Sequence, residues 1–140
     1  MHPKMYMYKR VIDAKLFIDE HYASKIELDK IANHAHFSKY HFLRLFKSAF
    51  GKSPHQYLTE VRVTEAKKLL AKGDSVTTVC FAVGFDSVTS FARLFRKHIG
   101  SSPKEFQMNE RSKQKKIKEQ PFSYIPNCFA DSYGWKNSNF

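Results

Sequence analysis

The chain has 140 residues, enough for one compact domain or for two half-size lobes sharing a connection. Lys and Arg total 24 against 13 Asp and Glu, a formal net charge of +11 with a pI near 9.7, which narrows the partner to nucleic acid, an anionic membrane surface or an acidic protein. No run of 18 apolar residues exists, and "MHPKMYMYKR" lacks the features of a secretory signal, so no membrane span is expected and the location is expected to be cytoplasmic.

Thirteen Phe residues make aromatic packing the expected substance of the core. The first predicted helix is Lys9–Tyr22, with Val11, Ala14, Ile18 and Tyr22 on one face. A short helix over Leu28–His34 follows, then the turn "HAHFS", then a helix over 39–50 capped by Ser38. Pro54–Ala71 reads as one helix of 18 residues, with an expected inner face of Tyr57, Leu58, Val61, Thr64 or Glu65, and Leu69. "AKGDS" ends it. Asp74 or Ser75 starts another short helix that runs to about Val83, Gly84-Phe85 makes the turn, and Asp86 or Ser87 caps a helix over 88–99. After Pro103 a last short helix holds Phe106, and 109–140 reads as a basic, then aromatic, tail. "ERSKQKKIKEQ" either continues a helix or stays disordered, and "FSYIPNCFADSYGW" is expected to fold back on the body. The fold class is all-α.

The chain repeats itself. "FLRLFKSAFGKSPHQY" at 42–57 returns as "FARLFRKHIGSSPKEF" at 91–106, with Phe, Arg, Leu, Phe, Gly, Ser and Pro in the same places. Upstream, Leu28, Ile31, Ala32, Ala35 and Phe37 match Val76, Val79, Cys80, Val83 and Phe85, at an offset one residue shorter. The second copy therefore carries one extra residue between Phe85 and Phe91. Gly51 and Gly100 stand where a helix stops in the left-handed region, and Ser53-Pro54 and Ser102-Pro103 restart the chain as cap and first helical residue. Each unit is a short helix, a tight turn and a longer helix. His36 stands where the second copy has Gly84, so His36 is expected in or near the left-handed region.

Acidic residues are missing from both repeated stretches: none lies between Asp29 and Glu60, or from Ser87 to Lys104. On 39–50 the helical projection puts Phe42, Leu45, Phe46 and Ala49 inward, and Tyr40, Arg44 and Lys47 outward with Leu43 and Ser48 beside them. On 88–99 it puts Phe91, Leu94 and Phe95 inward, and Thr89, Arg93 and Arg96 outward, with Ser90 and Ala92 flanking and Lys97 at the rim. An arginine centred among small and hydroxyl residues suits the DNA major groove, where its fork meets two guanine acceptors. Lys47, Lys52, Arg96, Lys97 and Lys104 are better placed for phosphates, which position a protein without reading sequence. Three other readings stand beside this one: the cationic faces are merely solvated, Arg44 and Arg93 pair with carboxylates inside the domain, or Tyr40 covers the core edge.

The stretch "LLAKGDSVTTVCFAVGFDSVTSFARLFRKHIGSSPKEF", with its GF turn, F-x-R-x-F-[KR], following Gly and P-x-x-F, resembles the DNA-binding domain of the AraC/XylS family. The resemblance covers about residues 8–108. It implies seven helices in two lobes, 8–53 and 74–108, each with a helix-turn-helix and joined by the helix 54–71. It implies base contacts by Lys39, Tyr40, Leu43 and Arg44 in the first lobe, and by Val88, Thr89, Ala92 and Arg93 in the second. It implies double-stranded DNA as partner and an activator that touches RNA polymerase. With the helical body beginning near residue 9, a complete chain would resemble the family's stand-alone monomeric regulators.

Other chemistries find less support. His34, His36 and His41 lack the spacing and carboxylate or Cys support of a metal site, so no metal and no cofactor is expected. Cys80 is expected to be a small core residue, and His98 a partly buried core histidine. No nucleophile–base pair, catalytic carboxylate pair or phosphate loop stands out, so no enzyme is expected. The rival class is a basic protein-interaction module that holds an acidic partner without reading sequence. An RNA-binding role is weaker, because no exposed aromatic stacking platform is evident.

Overall fold

The computed structural model describes residues 3–30 and 38–119. Six helices are bounded within it: α1 (Pro3–His21), α2 (Lys39–Phe50), α3 (Pro54–Ala71), α4 (Val76–Ala82), α5 (Val88–Ile99) and α6 (Pro103–Glu119). Residues 28–30 are also helical, and no strand occurs among the described residues. The rest of the short helix expected at 28–34, the conformation of His36 and the expected fold-back after residue 120 lie outside the described residues.

Local sequence signals set the helix ends. Ser38, Ser75 and Ser87 each accept a backbone N–H three residues on, from His41, Thr78 and Ser90, so an orphan donor is satisfied at each start. Ser53 with Gln56, and Ser102 with Glu105, form reciprocal capping boxes ahead of α3 and α6. At the far ends of α2 and α5, Gly51 (φ +77°) and Gly100 (φ +93°) turn the chain left-handed and return their N–H to Lys47 and Arg96 carbonyls, each at 2.8 Å.

Two cores result, and α3 serves both. Val11, Ala14 and Ile18 of α1, Phe42 and Phe46 of α2, and Leu58 of α3 form the first. Val63, Ala66 and Leu70 of α3 pack with Val79, Cys80, Val83, Phe85, Phe91 and Phe95 in the second. Tyr22, just past α1, packs against both. Ring contacts carry much of the filling: Phe46 meets Phe50 at 4.8 Å between centroids, and Phe95 meets Phe106 edge-on at 5.6 Å. Burial pushes the Cys80 thiol above its ordinary pKa, and the charge of Asp86 adds to that.

Several expectations are corrected. The buried stripe of α3 is Pro54, Leu58, Thr59, Val63, Ala66 and Leu70, while Thr64 is exposed and Tyr57, Val61, Glu65 and Leu69 are half-buried. A helix that turns successive faces to two cores does not keep one inner stripe. Tyr57 and Leu69 still pack against the first and second core as expected, and Tyr57 also donates its hydroxyl to Asp19 at 2.5 Å. Ala49 is exposed, because Phe46 and Phe50 occupy the inner side at the end of α2. His98 is exposed too, since Ile99 reaches the core just before Gly100 stops the helix. The first helix begins at Pro3 rather than Lys9.

The last helix is not short. It runs 17 residues, through "ERSKQKKIKE", into what reads as tail. Its amides close the end of α3: Gln107 Nε2 donates to the Leu70 carbonyl at 3.0 Å and the Asp74 carbonyl at 2.6 Å, and Gln114 Nε2 to the Ala71 carbonyl at 3.2 Å. The Leu70 and Ala71 carbonyls are among those a helix leaves without an intrahelical partner at its C-terminus, and Asp74 lies just beyond it.

Phe46→Ala and Phe95→Ala should each cost about 3–5 kcal/mol in urea unfolding, whereas Ala49→Ser should stay within about 0.5 kcal/mol. Tyr57→Phe should cost about 1 kcal/mol at neutral pH. Burial first, then Asp19, raises the Tyr57 pKa, so this contribution is fully present below the ordinary tyrosine range and fades as pH climbs through the elevated value. Unfolding curves of the two proteins should therefore converge in strong alkali.

Candidate nucleic-acid interface

The faces of α2 and α5 that turn away from the cores carry the candidate interface. On α2, Tyr40 is 70% exposed, which removes the reading that it covers the core edge. The Arg44 guanidinium lies over its ring, 5.7 Å from the centroid, so the two form one planar, cationic unit. Lys47 and Ser48 are exposed beside them, and Leu43 is half-buried against the first core. On α5, Val88, Thr89, Arg93, Arg96 and Lys97 are exposed, and Ala92 is half-buried at the edge. Lys104 is exposed on the first turn of α6.

Arg44 and Arg93 have no carboxylate partner among the described residues, and neither do Lys47, Arg96, Lys97 and Lys104. No acidic residue stands in the first turn of α2 or α5.

The first lobe is less open than its sequence window implies. Lys39 Nζ pairs with Asp29 Oδ1 at 2.8 Å, and Lys52 pairs with Glu60. Both carboxylates flank the acid-free stretch in sequence and fold back over its ends. Exposed pairs of this kind are worth about 0–1 kcal/mol, so they bias the two lysines without locking them.

One side chain of consequence is not signalled by the repeat or by its charge pattern. Arg62, midway along α3, is half-buried and donates from Nε to the Tyr22 carbonyl at 2.7 Å and from Nη2 to the Ser24 carbonyl at 3.0 Å. Among the described residues, no group of three or more His, Cys, Asp or Glu is gathered as for a metal, and no helix is long and apolar enough to cross a membrane.

Comparison with known proteins agrees with this geometry. Residues 31–109 match the family described as a helix-turn-helix domain. The chain is 34% identical over 96 residues to the MmsAB operon regulatory protein of Pseudomonas aeruginosa, a match that covers 68% of this chain and 31% of that protein. The chain thus spans about a third of the length of that relative. The DNA-binding domain of AdpA, solved in complex with a target DNA, superposes with a TM-score of 0.69 at 31% identity, over 74% of this chain and 94% of that one. A Chromobacterium violaceum regulator described as containing an AraC-type DNA-binding domain superposes at 0.65 with 26% identity, over 74% and 93%. With residues 31–109 matched by that model and relatives of this kind, the chain belongs to the AraC-type helix-turn-helix family of transcription regulators.

Proposed function

We propose that the chain reads double-stranded DNA sequence-specifically, with α2 and α5 entering successive major grooves, and acts as an activator that touches RNA polymerase. The observation that carries the DNA reading is the pair of matching outward faces, each centred on an arginine with no carboxylate partner among the described residues. The activator part rests on kinship with regulators alone.

In this reading Arg44 and Arg93 contact bases. Tyr40, Lys39 and Leu43 flank the first, and Val88, Thr89 and Ala92 the second. Half-buried Leu43 and Ala92 offer small apolar surfaces suited to a thymine methyl. Lys47, Arg96, Lys97 and Lys104 hold phosphates. Lys52 joins them once it exchanges Glu60 for a phosphate, and Lys39 must likewise leave Asp29 to reach a base. The lysines of the distal part of α6 add sequence-independent attraction. Two lobes on one face of the duplex would read segments about 34 Å apart, one helical turn, and a rigid α3 would require the DNA to bend toward both.

Titration against a duplex bearing the preferred site and against random duplexes tests this. Arg44→Ala and Arg93→Ala should each lose about 1–3 kcal/mol on the preferred site and relax choice at one position. Lys47→Ala should weaken both duplexes alike and reduce the salt slope by about one unit. Equal losses for the arginine variants on preferred and random DNA would contradict base readout and favour an interaction module for an acidic partner. Asp29→Asn, which frees Lys39, should tighten binding a few-fold and steepen the salt dependence.

A further inference from the structure

Arg62, on the joining helix, reaches both lobes. In the first lobe its two hydrogen bonds end on the carbonyls of Tyr22 and Ser24, in the turn that leaves α1. A cation there also faces the negative end of the α1 dipole. In the second lobe its guanidinium carbon stands 5.7 Å from the Phe85 ring centroid. Burial lowers its pKa from the ordinary value, and the nearby charge of Asp86 works against that fall. The group stays cationic throughout, so this is a fixed contact rather than a pH switch.

The lobes touch closely at this point. Gly84, at φ +101°, comes so near that a Cβ there would lie 2.7 Å from the Tyr22 carbonyl oxygen and 2.9 Å from Arg62 Nε. Beside it a cleft of about 310 Å³ opens between the lobes, with Ile26 on one wall and Phe81 on the other. Apart from the Tyr22 ring, which packs against both cores, the junction is a polar contact next to open space. It is not a broad apolar seam that would hold an angle by area alone.

The two copies of the repeat differ at this spot. Ser38 and Ser87 are equivalent caps, so the extra residue of the second copy is Asp86, which follows Phe85 directly. Gly84 replaces the His36 of the first copy. Both differences fall in the turn that faces Arg62. The repeat is broken where one lobe meets the other.

We infer that Arg62, seated against Gly84 and the Tyr22–Ser24 carbonyls, fixes the angle between the lobes and thereby selects the spacing of the two DNA segments, without touching DNA. The spacing part rests on the two-groove reading proposed above. Arg62 is a positioning residue. A loss of its hydrogen bonds leaves both outward faces intact but lets them swing against each other about α3. An insertion of one base pair displaces the second segment by about 3.4 Å and turns it by about 35° around the duplex, so a rigid pair of lobes must reject it and a loosened pair tolerates it.

The test uses the full chain, with Arg62→Met, which keeps the stem and loses the donors, and Arg62→Lys, which keeps the charge. Affinity is measured on duplexes whose two preferred blocks are moved by one or two base pairs either way. The wild-type chain should lose about tenfold or more per shifted base pair, Arg62→Met only a few-fold, and Arg62→Lys an intermediate amount. Lobe geometry is read without DNA from the distance distribution between spin labels at Ala49→Cys and His98→Cys, both exposed positions, with Cys128→Ser. A narrow distribution should broaden in Arg62→Met. An unchanged distribution and an unchanged ranking of spacings, with only a lower melting temperature, would reduce Arg62 to a helix cap and overturn the inference. A wild-type chain indifferent to spacing would overturn the two-groove reading and the spacing role with it. The label distances alone would still decide whether Arg62 holds the angle.

Discussion

Two cores hang on one helix, and every joint property of the lobes depends on that helix remaining whole. Leu58 commits the first part of α3 to one core, and Val63, Ala66 and Leu70 commit the rest to the other. Beyond Pro54 at its start, no glycine or proline interrupts this 18-residue helix. Both ends are tied by neighbours: the Ser53–Gln56 capping box closes the beginning, and amides from α6 close the end. A kink would separate the two outward faces even with each core intact.

Charge is distributed according to the same division. The cores are apolar, and the cations stand on the sides of α2 and α5 that no core covers. The two lobes are not electrically equal. In the first, Asp29 and Glu60 each occupy a lysine, which leaves Arg44, over the Tyr40 ring, and Lys47 as cations of the α2 outward face with no carboxylate partner among the described residues. In the second, Arg93, Arg96 and Lys97 carry no such partner among the described residues. In the proposed reading, a duplex would meet more unpaired cations at α5, and Lys39 and Lys52 would exchange their internal pairs for contacts with DNA.

Much of this is legible in the sequence because local chemistry decides it. Serines and glycines mark the ends of α2, α4 and α5, and period-3.6 aromatics mark the inner faces, so Phe42, Phe46, Phe91 and Phe95 are recognisable as core without coordinates. The outward positions of Tyr40, Arg44, Thr89 and Arg93 follow from the same projection. What stays hidden depends on residues far apart in the chain. The inner stripe of α3 shifts because two cores share it, and Ala49 and His98 face out because larger neighbours fill the space below. Glu60 reaches Lys52 and Arg62 reaches Tyr22 only after folding, across 8 and 40 residues. The length of α6 is equally non-local, since its docking on α3 runs through Gln107 and Gln114, two ordinary polar residues in sequence.

The central claim is that two matching faces read two segments of one duplex. The most direct measurement is selection of bound duplexes from a random-sequence library by the full chain at about 150 mM salt. Enrichment of two blocks centred about 10 base pairs apart is the predicted result. Recovery of duplexes with no shared sequence, despite retention on the protein, would contradict it and leave a basic surface that binds charge without reading.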